Sequence, residues 1–373
     1  MTNSTYYRPT KALIDSRAIQ DNVKNLKSYL PKKTEVIAVV KADGYGHGEV
    51  EVAKAAIKAG ASMVSVATPD EAVRLYEAGI RKDILVMGPS PIEFARKAAE
   101  TGIIVTVSDA EWLQDAIDMY GAFKYKLRFH IKVDSGMGRI GLRNKETLKS
   151  IIDVAEKNPA LIVDGIFTHF ACADEDNPSA TMEQFSFFME MVQSMEVKPR
   201  LVHASNSAAT FLYPELSLDA VRFGISLYGI PPSDYVASRL PFSLKRALRL
   251  ETELTFVKRL ERGSRVSYGG TYETKGDEWI GTLPIGYADG LKRGLRGQEV
   301  LIDGERMPIV GTICMDQCMV KLTKEYSVGE KVTLIGRQGD EEITMEEWAR
   351  RTNTIPYEIA VSISKRVPRL YSV

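Results

Sequence analysis

Residues 36–48 read VIAVVKADGYGHG, an apolar strand-forming run that passes directly into Lys41 and a glycine-rich loop. Apolar, β-rich runs of this kind recur eight times, and helical patterns separate them. They lie at residues 36–40, 63–67, 84–87, 103–107, 127–133, 161–168, 201–203 and 220–223. Thr68 and Asp109 stand where helix N-caps are expected. Eight strand–helix units in roughly 240 residues favour a closed (β/α)₈ barrel over an open doubly wound sheet.

The rest of the chain has a different pattern. After residue 240 the segments are short and alternating, and glycines such as Gly263 and Gly304 separate them, which predicts an all-β domain. We therefore expect a barrel over residues 12–240 and a C-terminal β domain over residues 241–373. A strand-like segment opens the chain, and we expect residues 1–11 to be able to pair with the later domain.

The composition excludes several classes of partner. Lys plus Arg and Asp plus Glu each number 49, so no net field favours nucleic acid or an anionic membrane. The start of the chain lacks an apolar signal core, and no apolar stretch approaches the roughly 20 residues of a bilayer span. We expect a cytoplasmic enzyme. The three cysteines, Cys172, Cys314 and Cys318, give no disulfide framework, and no second Cys or His pair accompanies the last two to bind zinc.

In such a barrel the chemistry lies at the carboxyl ends of the strands, and the first strand ends at Lys41. Burial disfavours a charged amine, and a neutral amine is a nucleophile suited to Schiff-base formation. The alternative is a lysine that reaches solvent at the rim of the barrel. The glycines after Lys41 suit a close approach to a ligand.

The four histidines of the chain fall on or just after predicted strand ends, which predicts a site at one rim of the barrel. They are His47, His130, His169 and His203. This pattern also allows a metal-dependent barrel hydrolase. Arg222, which closes the eighth strand, disfavours that alternative because a metal site uses carboxylate ligands rather than a fixed cation. We therefore predict that the protein holds no metal.

Two further segments carry polar groups at predicted strand ends. The fifth strand places ionisable residues, from Arg128 to Asp134, on one face, so that face is either solvated or part of a buried network. Small residues follow strands seven and eight, at 204–208 and 224–225, as in the phosphate site of many barrels. Ser207 can donate its hydroxyl there, although the serines of this segment can also cap the following helix.

Taken together, these motifs resemble those of the alanine racemases, whose pyridoxal-phosphate barrel precedes a C-terminal β domain. The lysine motif of residues 36–48 carries the resemblance, which extends over nearly the whole chain. Further matching segments are 132–139, 169, 203–207, 222–225, 266–270, 285–290, 311–316 and 356–357. The resemblance implies an isomerase that interconverts L- and D-alanine and supplies D-alanine for peptidoglycan synthesis.

The resemblance also implies which residues hold pyridoxal 5′-phosphate. Lys41 carries the cofactor as a Schiff base, Arg222 faces the pyridine nitrogen and keeps it unprotonated, and His169 holds Arg222. His203 lies under the ring, and Lys132 matches a position that is carbamylated in many family members, where it orients Arg139 towards the phenolic oxygen. The remaining cofactor-binding residues, most of them at the phosphate, are Tyr45, Asn206, Ser207, Gly224, Ile225 and Tyr357.

Racemisation needs two bases on opposite faces of Cα, and the resemblance assigns these roles to Lys41 and Tyr268. Lys41 serves the D-alanine face and Tyr268 the L-alanine face. The substrate-binding residues it implies are Arg139, Tyr268, Tyr287, Met315 and Asp316. The family pattern places Tyr268 across a dimer interface, so we expect a homodimer with shared active sites.

Two alternatives share the cofactor. An amino-acid decarboxylase of similar architecture has a different substrate-side motif from residues 311–316. A non-catalytic pyridoxal-phosphate carrier would consist of a barrel alone. The roughly 130 residues after the barrel argue against this alternative, because they suffice for another domain. How strictly alanine is preferred over serine depends on packing and stays open.

Overall fold

The computed structural model describes residues 6–121 and 124–372, which form two compact units. The barrel unit comprises Ala18–Gly44 and Glu49–Lys245. The β unit comprises the described residues up to Arg17, the loop Tyr45–Gly48, and the described residues from Arg246 onward.

The strands are numbered along the chain. The first nine are β1 (Lys11–Asp15), β2 (Glu35–Val39), β3 (Met63–Val66), β4 (Asp83–Val86), β5 (Val105–Val107), β6 (Leu127–Lys132), β7 (Leu161–Phe167), β8 (Leu201–His203) and β9 (Ala220–Phe223). The others are β10 (Leu248–Glu253), β11 (Phe256–Leu260), β12 (Arg265–Val266), β13 (Tyr272–Glu273), β14 (Glu278–Leu283), β15 (Glu299–Ile302), β16 (Glu305–Val310), β17 (Cys318–Leu322), β18 (Lys331–Gln338), β19 (Glu341–Ile343) and β20 (Arg369–Ser372).

The helices are numbered in the same way. They are α1 (Ser16–Tyr29), α2 (Lys41–Tyr45), α3 (Glu49–Lys58), α4 (Pro69–Glu77), α5 (Phe94–Thr101), α6 (Ala110–Tyr120), α7 (Lys145–Lys157), α8 (Ser179–Gln193), α9 (Ser207–Leu212), α10 (Asp234–Ala237), α11 (Met345–Arg351) and α12 (Pro356–Ser362). Short 3₁₀ turns lie at Pro214–Leu216, Ile225–Tyr228, Tyr268–Gly270, Tyr287–Asp289 and Arg293–Leu295. Across the described ranges, none of the helices has the length and apolar character that a bilayer span requires.

The sheet of the barrel unit contains eight parallel strands in the order β4-β3-β2-β9-β8-β7-β6-β5. Its two end strands also meet, because Val86 N donates to Ile104 O and Ile104 N donates to Ile84 O, each at 2.9 Å. The predicted (β/α)₈ barrel is therefore confirmed. The predicted caps are present as well: Thr68 Oγ1 accepts from Glu71 N, and Asp109 Oδ1 accepts from Trp112 N at 2.8 Å.

The sheet of the β unit has ten strands, nine of them in the order β11-β14-β17-β16-β15-β18-β10-β1-β20, with β19 paired to β18. Strand β1 lies antiparallel to β10 and parallel to β20. Strands β12 and β13 form a separate two-stranded hairpin. The predicted C-terminal all-β region is thus confirmed, with the opening strand of the chain in its sheet. The boundary predicted between residues 240 and 241 stays a prediction.

Candidate active site

Lys41 follows the end of β2 and opens a left-handed turn. Val40 N still bonds to Ser65 O on β3, whereas Ala42, Asp43 and Gly44 have φ of 53°, 54° and 59°. Left-handed backbone is costly for residues with a Cβ, so the turn needs support. Glu71 provides it: Oε1 accepts from Ala42 N at 2.7 Å. The turn therefore fixes where the lysine leaves the strand.

The surroundings of Lys41 favour its neutral amine. Burial lowers the pKa of Lys41, the positive charges of Arg139 and Arg222 lower it further, and Glu71 opposes them. A neutral amine can act as a nucleophile or a base. The alternative of a lysine that escapes to solvent does not fit, because the side chain is largely enclosed.

Arg222, on β9, is 3% exposed. Its Nη2 donates to Thr168 O at 2.8 Å and to Ala204 O at 2.7 Å. Its Nη1 lies 2.8 Å from His203 Nδ1, and Nη2 lies 3.2 Å from His169 Nδ1. None of these acceptors is a carboxylate. Burial lowers the pKa of Arg222 to about 9, and the charge of Arg139 acts in the same direction.

The two histidines beside Arg222 are neutral. Burial holds the pKa of His169 and His203 well below the ordinary value, and the positive charge of Arg222 adds to this. The ring of His203 stacks on Phe167, with 4.9 Å between centroids and an angle of 3°. This stacking fixes the plane in which His203 meets Arg222.

The polar face of β6 is buried, which excludes the solvated alternative. His130 is 0% and Lys132 3% exposed. We predicted from the sequence that His130 falls on or just after a strand end. It lies inside β6 instead, so that prediction is wrong. Burial lowers the pKa of Lys132 to about 7, with a further contribution from Arg222, and its Nζ donates to Val133 O at 2.8 Å.

Arg139 lies in the loop after β6 and is exposed. Asp134 shapes this loop, because its Oδ1 accepts from Gly138 N at 2.9 Å and from Gly136 N at 3.1 Å. The charge of Arg139 acts on Lys41, Lys132 and Arg222, since it lowers the pKa of each. Four basic side chains therefore share the carboxyl end of the barrel, and the positive charge of the two arginines among them favours an anionic ligand.

Strands β8 and β9 bring three of the residues predicted for the cofactor together. Ser207 Oγ accepts from Gly224 N at 3.0 Å, and Ile225 follows directly in the chain. Asn206 Oδ1 accepts from Ala209 N at 3.0 Å and caps α9. The interpretation of Ser207 as the helix cap is therefore wrong, because Asn206 has that role.

Tyr45 and Tyr357 meet in the β unit, with 6.1 Å between ring centroids. Tyr45 is buried, and burial raises the pKa of its hydroxyl. Gly46 allows the loop to pass close to α12, because a Cβ there would lie 2.3 Å from Ala360 O. Both phenols predicted for the phosphate thus lie on adjoining segments of the β unit.

The remaining predicted residues lie on an exposed part of the β unit. Tyr268, Met315 and Asp316 line a depression of about 580 Å³. Tyr287 N donates to Cys314 O at 3.1 Å, so its segment adjoins the same loop. Tyr268 is 73% exposed and Met315 52%. Ser267, before Tyr268, has φ of 66° and ψ of −177°, and its Oγ donates to Thr312 O at 2.5 Å.

Two residues that organise this site were not predicted from the sequence patterns. The support that Glu71 gives to the turn after Lys41 was not predicted, because the spacing of Glu71 from Thr68 already predicts a capping box. Glu71 forms that capping box as well. Asp164 was missed inside an apolar run, although a carboxylate in a buried strand is itself a signal. In the described part of the chain, no cluster of three or more His, Cys, Asp or Glu residues could bind a metal ion.

Two family models match the chain. The model described as the alanine racemase N-terminal domain matches residues 14–232, and that of the alanine racemase C-terminal domain matches residues 247–371. The chain belongs to the alanine racemase family. The resemblance inferred from the sequence motifs is confirmed, and with it the prediction that the protein is an amino-acid racemase rather than a hydrolase or a carrier.

Individual members of the alanine racemase family match over the full length. Alanine racemase of Geobacillus stearothermophilus is 47% identical over 98% of this chain and 94% of its own. A crystal structure of alanine racemase from Bacillus anthracis with bound L-Ala-P is 45% identical, with a TM-score of 0.95 over 99% of this chain and 96% of that one. A histidine racemase from Leuconostoc mesenteroides subsp. sake is 33% identical, with a TM-score of 0.94 over 99% of both chains.

Proposed function

We propose that the chain interconverts L- and D-alanine with pyridoxal 5′-phosphate bound at the carboxyl end of the barrel. The observation that carries the proposal is the basic end of the barrel, where a half-buried lysine with a lowered pKa shares the site with an arginine that has no carboxylate acceptor. The high identity to alanine racemases over the whole chain supports alanine as the substrate.

The residues fit this cofactor. A phosphate suits the small residues around Ser207 and Gly224, and the charged arginines at this end of the barrel favour its charge. The lowered pKa of Lys41 favours the neutral amine that covalent attachment to an aldehyde requires. Arg222 would face the ring nitrogen, and its charge would disfavour protonation there.

Bound pyridoxal 5′-phosphate supplies an electron sink that weakens the bond between Cα of alanine and its hydrogen. Lys41 would take or return that proton at Nζ on one face of Cα, and Tyr268 would do so with its phenolic oxygen on the other face. Arg139, Met315 and the residues near them would orient the substrate carboxylate. The pKa of Lys132, lowered by burial to about 7, leaves a substantial neutral fraction near pH 7, so CO₂ can carbamylate the amine and offset the local positive charge.

A racemisation assay tests the reaction and its substrate class. The purified protein with pyridoxal 5′-phosphate is incubated separately with the L-isomers of alanine, serine, histidine and lysine, and the D-isomer is measured by chiral chromatography. We expect alanine to give the highest kcat/KM. Preference for histidine would overturn the choice of substrate, since the same fold serves a histidine racemase. Release of CO₂ from any of them would favour the decarboxylase.

We also propose that two copies of the chain share each active site. Tyr268, Tyr287 and Met315 are exposed by 73%, 43% and 52%. Exposed large side chains on adjoining segments are typical of a surface that another chain covers. In a two-fold dimer each chain lends its tyrosine to the other, so the two composite sites are equivalent.

Mixed dimers test the shared site. Lys41→Ala and Tyr268→Ala are prepared separately, mixed, dissociated and reassociated. In a mixed dimer one site collects both defects and the other neither, so about a quarter of all sites should regain wild-type activity. If both bases belonged to one chain, every site would keep one defect. If chromatography proves that mixed dimers have formed but the activity stays at the background of the separate variants, the two chains do not share active sites.

A further inference from the structure

A line of hydrogen bonds leads from Arg222 into the interior of the barrel. Arg222 Nη1 lies 2.8 Å from His203 Nδ1, and His203 Nε2 lies 3.0 Å from His130 Nδ1. His130 Nε2 lies 3.2 Å from Asp164 Oδ2. The line crosses from β9 through β8 and β6 to β7, and it connects the arginine of the site to a carboxylate that the mechanism above does not use.

The chemistry of the two ends fixes the direction of every hydrogen bond in this line. A guanidinium N–H can only donate, so Nδ1 of His203 must accept and its proton must be on Nε2. That N–H donates to His130 Nδ1, which leaves the proton of His130 on Nε2, facing the carboxylate of Asp164. Burial lowers the pKa of both imidazoles, so each carries one proton.

The carboxylate at the end of the line is ionised. Although burial acts to raise it, hydrogen bonds from His130 and Arg200 hold the pKa of Asp164 below its ordinary value, with help from the charge of Arg128. Asp164 thus remains an acceptor for the N–H of His130. If the tautomer of His203 were reversed, an N–H would face the N–H of Arg222 across 2.8 Å.

The packing leaves the two rings no other arrangement. Both imidazoles are fully buried. Phe167 stacks on His203 at an angle of 3°. Gly165 lets β7 pass next to His130, because a Cβ at that position would lie 2.7 Å from the imidazole. The rings cannot rotate without displacing a strand, so a change of tautomer cannot be accommodated by a ring flip.

We propose that His130 and Asp164 are positioning residues for Arg222: the carboxylate fixes both imidazole tautomers, and His203 thereby accepts from the guanidinium and holds it in place. This inference rests on the proposed function, in which Arg222 sets the protonation of the cofactor's ring nitrogen. It explains how a buried guanidinium without a carboxylate of its own keeps one orientation.

The cluster around Asp164 supplies a matched control. Asp83 accepts from Arg128 Nη1 at 2.7 Å and from Arg200 Nη2 at 3.1 Å, and Asp164 accepts from the same two arginines. In the structure as described, the side-chain hydrogen bonds of His130 go to His203 and Asp164. Asp164→Asn and Asp83→Asn therefore each remove one negative charge beside Arg128 and Arg200. Only Asp164→Asn also alters the line of hydrogen bonds to Arg222.

The experiment measures the imidazole tautomers by ¹⁵N NMR of histidine-labelled holoenzyme. With four histidines in the chain, single substitutions assign each signal. In the wild type we expect neutral Nε2–H tautomers for both His130 and His203. Asp164→Asn should shift the signals of both, because a neutral amide oxygen is a weaker acceptor than a carboxylate for the N–H of His130. It should also lower kcat for alanine about tenfold with KM within about twofold, because Arg222 is then held less firmly but the substrate contacts remain. Asp83→Asn should leave tautomers and kcat as in the wild type.

Three results would overturn the proposal. They are an Nδ1–H tautomer of His203 in the wild type, unchanged histidine signals in Asp164→Asn, and equal effects of the two aspartate variants. If Asp164→Asn does not fold, the wild-type spectrum decides, because the opposite tautomer would exclude the line. The tautomers are measured without turnover, so an inactive protein with the expected spectrum would contradict the proposed function and not the hydrogen-bond line.

Discussion

The predicted site residues of the two units differ in how they are held. In the barrel unit, Arg222 and Lys132 are each 3% exposed and bonded to carbonyls or histidines of the same unit. In the β unit, Tyr268 is 73% exposed. Buried charges need partners within their own unit, whereas an exposed side chain contributes little to the stability of its unit. Substitutions in the barrel should therefore affect stability and activity together, and those at Tyr268 activity alone.

The largest effect should come from Lys41→Ala. Loss of the nucleophile and base should reduce racemisation at least about 10⁴-fold and abolish covalent fixation of the cofactor by borohydride. Peptide mapping and the alanine assay measure both. Lys54→Ala, which removes an exposed lysine paired with Glu51, is the control and should behave as wild type. Cofactor fixed to another lysine in Lys41→Ala would refute the assignment.

Tyr268→Phe should separate activity from stability. We expect the exchange of the Cα proton of L-alanine in D₂O to fall about 10²–10³-fold, while that of D-alanine continues through Lys41. The melting temperature should move by no more than about 1 °C because the substitution keeps the aromatic ring and removes only the phenolic oxygen. Proton NMR and thermal unfolding give the two values. Equal loss of exchange from both isomers would be incompatible with two separate bases.

Lys132 should give the barrel a pH-dependent stability. Its pKa is about 7 in the folded protein and ordinarily 10.5, so between these values the unfolded chain binds more protons. Stability should therefore rise with pH across this window, and the cost of burying the lysine is greatest below pH 7.

The variant Lys132→Met removes this titration. The difference in denaturation midpoint between variant and wild type should favour the variant at pH 7 and decrease towards pH 10. Urea unfolding in buffers free of CO₂ measures it, since CO₂ reacts with a neutral amine. A difference that does not vary with pH would show that Lys132 keeps its ordinary pKa.

The smallest effect should come from Ser267, next to the exposed tyrosine. Ser267→Ala should lower stability by about 1 kcal/mol because the hydrogen bond to Thr312 O is lost while the strained backbone remains. Ser267→Gly loses the same bond but relieves the positive φ, so it should be closer to wild type. Chemical denaturation compares them. A glycine variant less stable than the alanine variant would contradict strain at this position.

Much of the barrel could be predicted because strand–helix alternation is a local pattern. Each predicted run overlaps one strand of the sheet. Lys41 follows the end of β2, and Arg222 is the second-last residue of β9, so both lie close to the strand ends where the pattern places them. The placement of His130 at a strand end was wrong, because the predicted run of 127–133 already extends past it and the alternation indicates only that its side chain lies on the polar face of β6. Periodicity indicates which face a side chain occupies but not how far along the barrel it lies.

The sequence by itself determined the order of the elements, the two folds and the chemical types at the strand ends, because consecutive residues carry the periodicity and the caps. Only the tertiary structure decided that Arg222 meets histidines and carbonyls instead of a carboxylate, and that Asp164 lies behind His130. These contacts join residues far apart in the chain. They depend on strand register and on the burial that shifts pKa values, neither of which a local pattern contains.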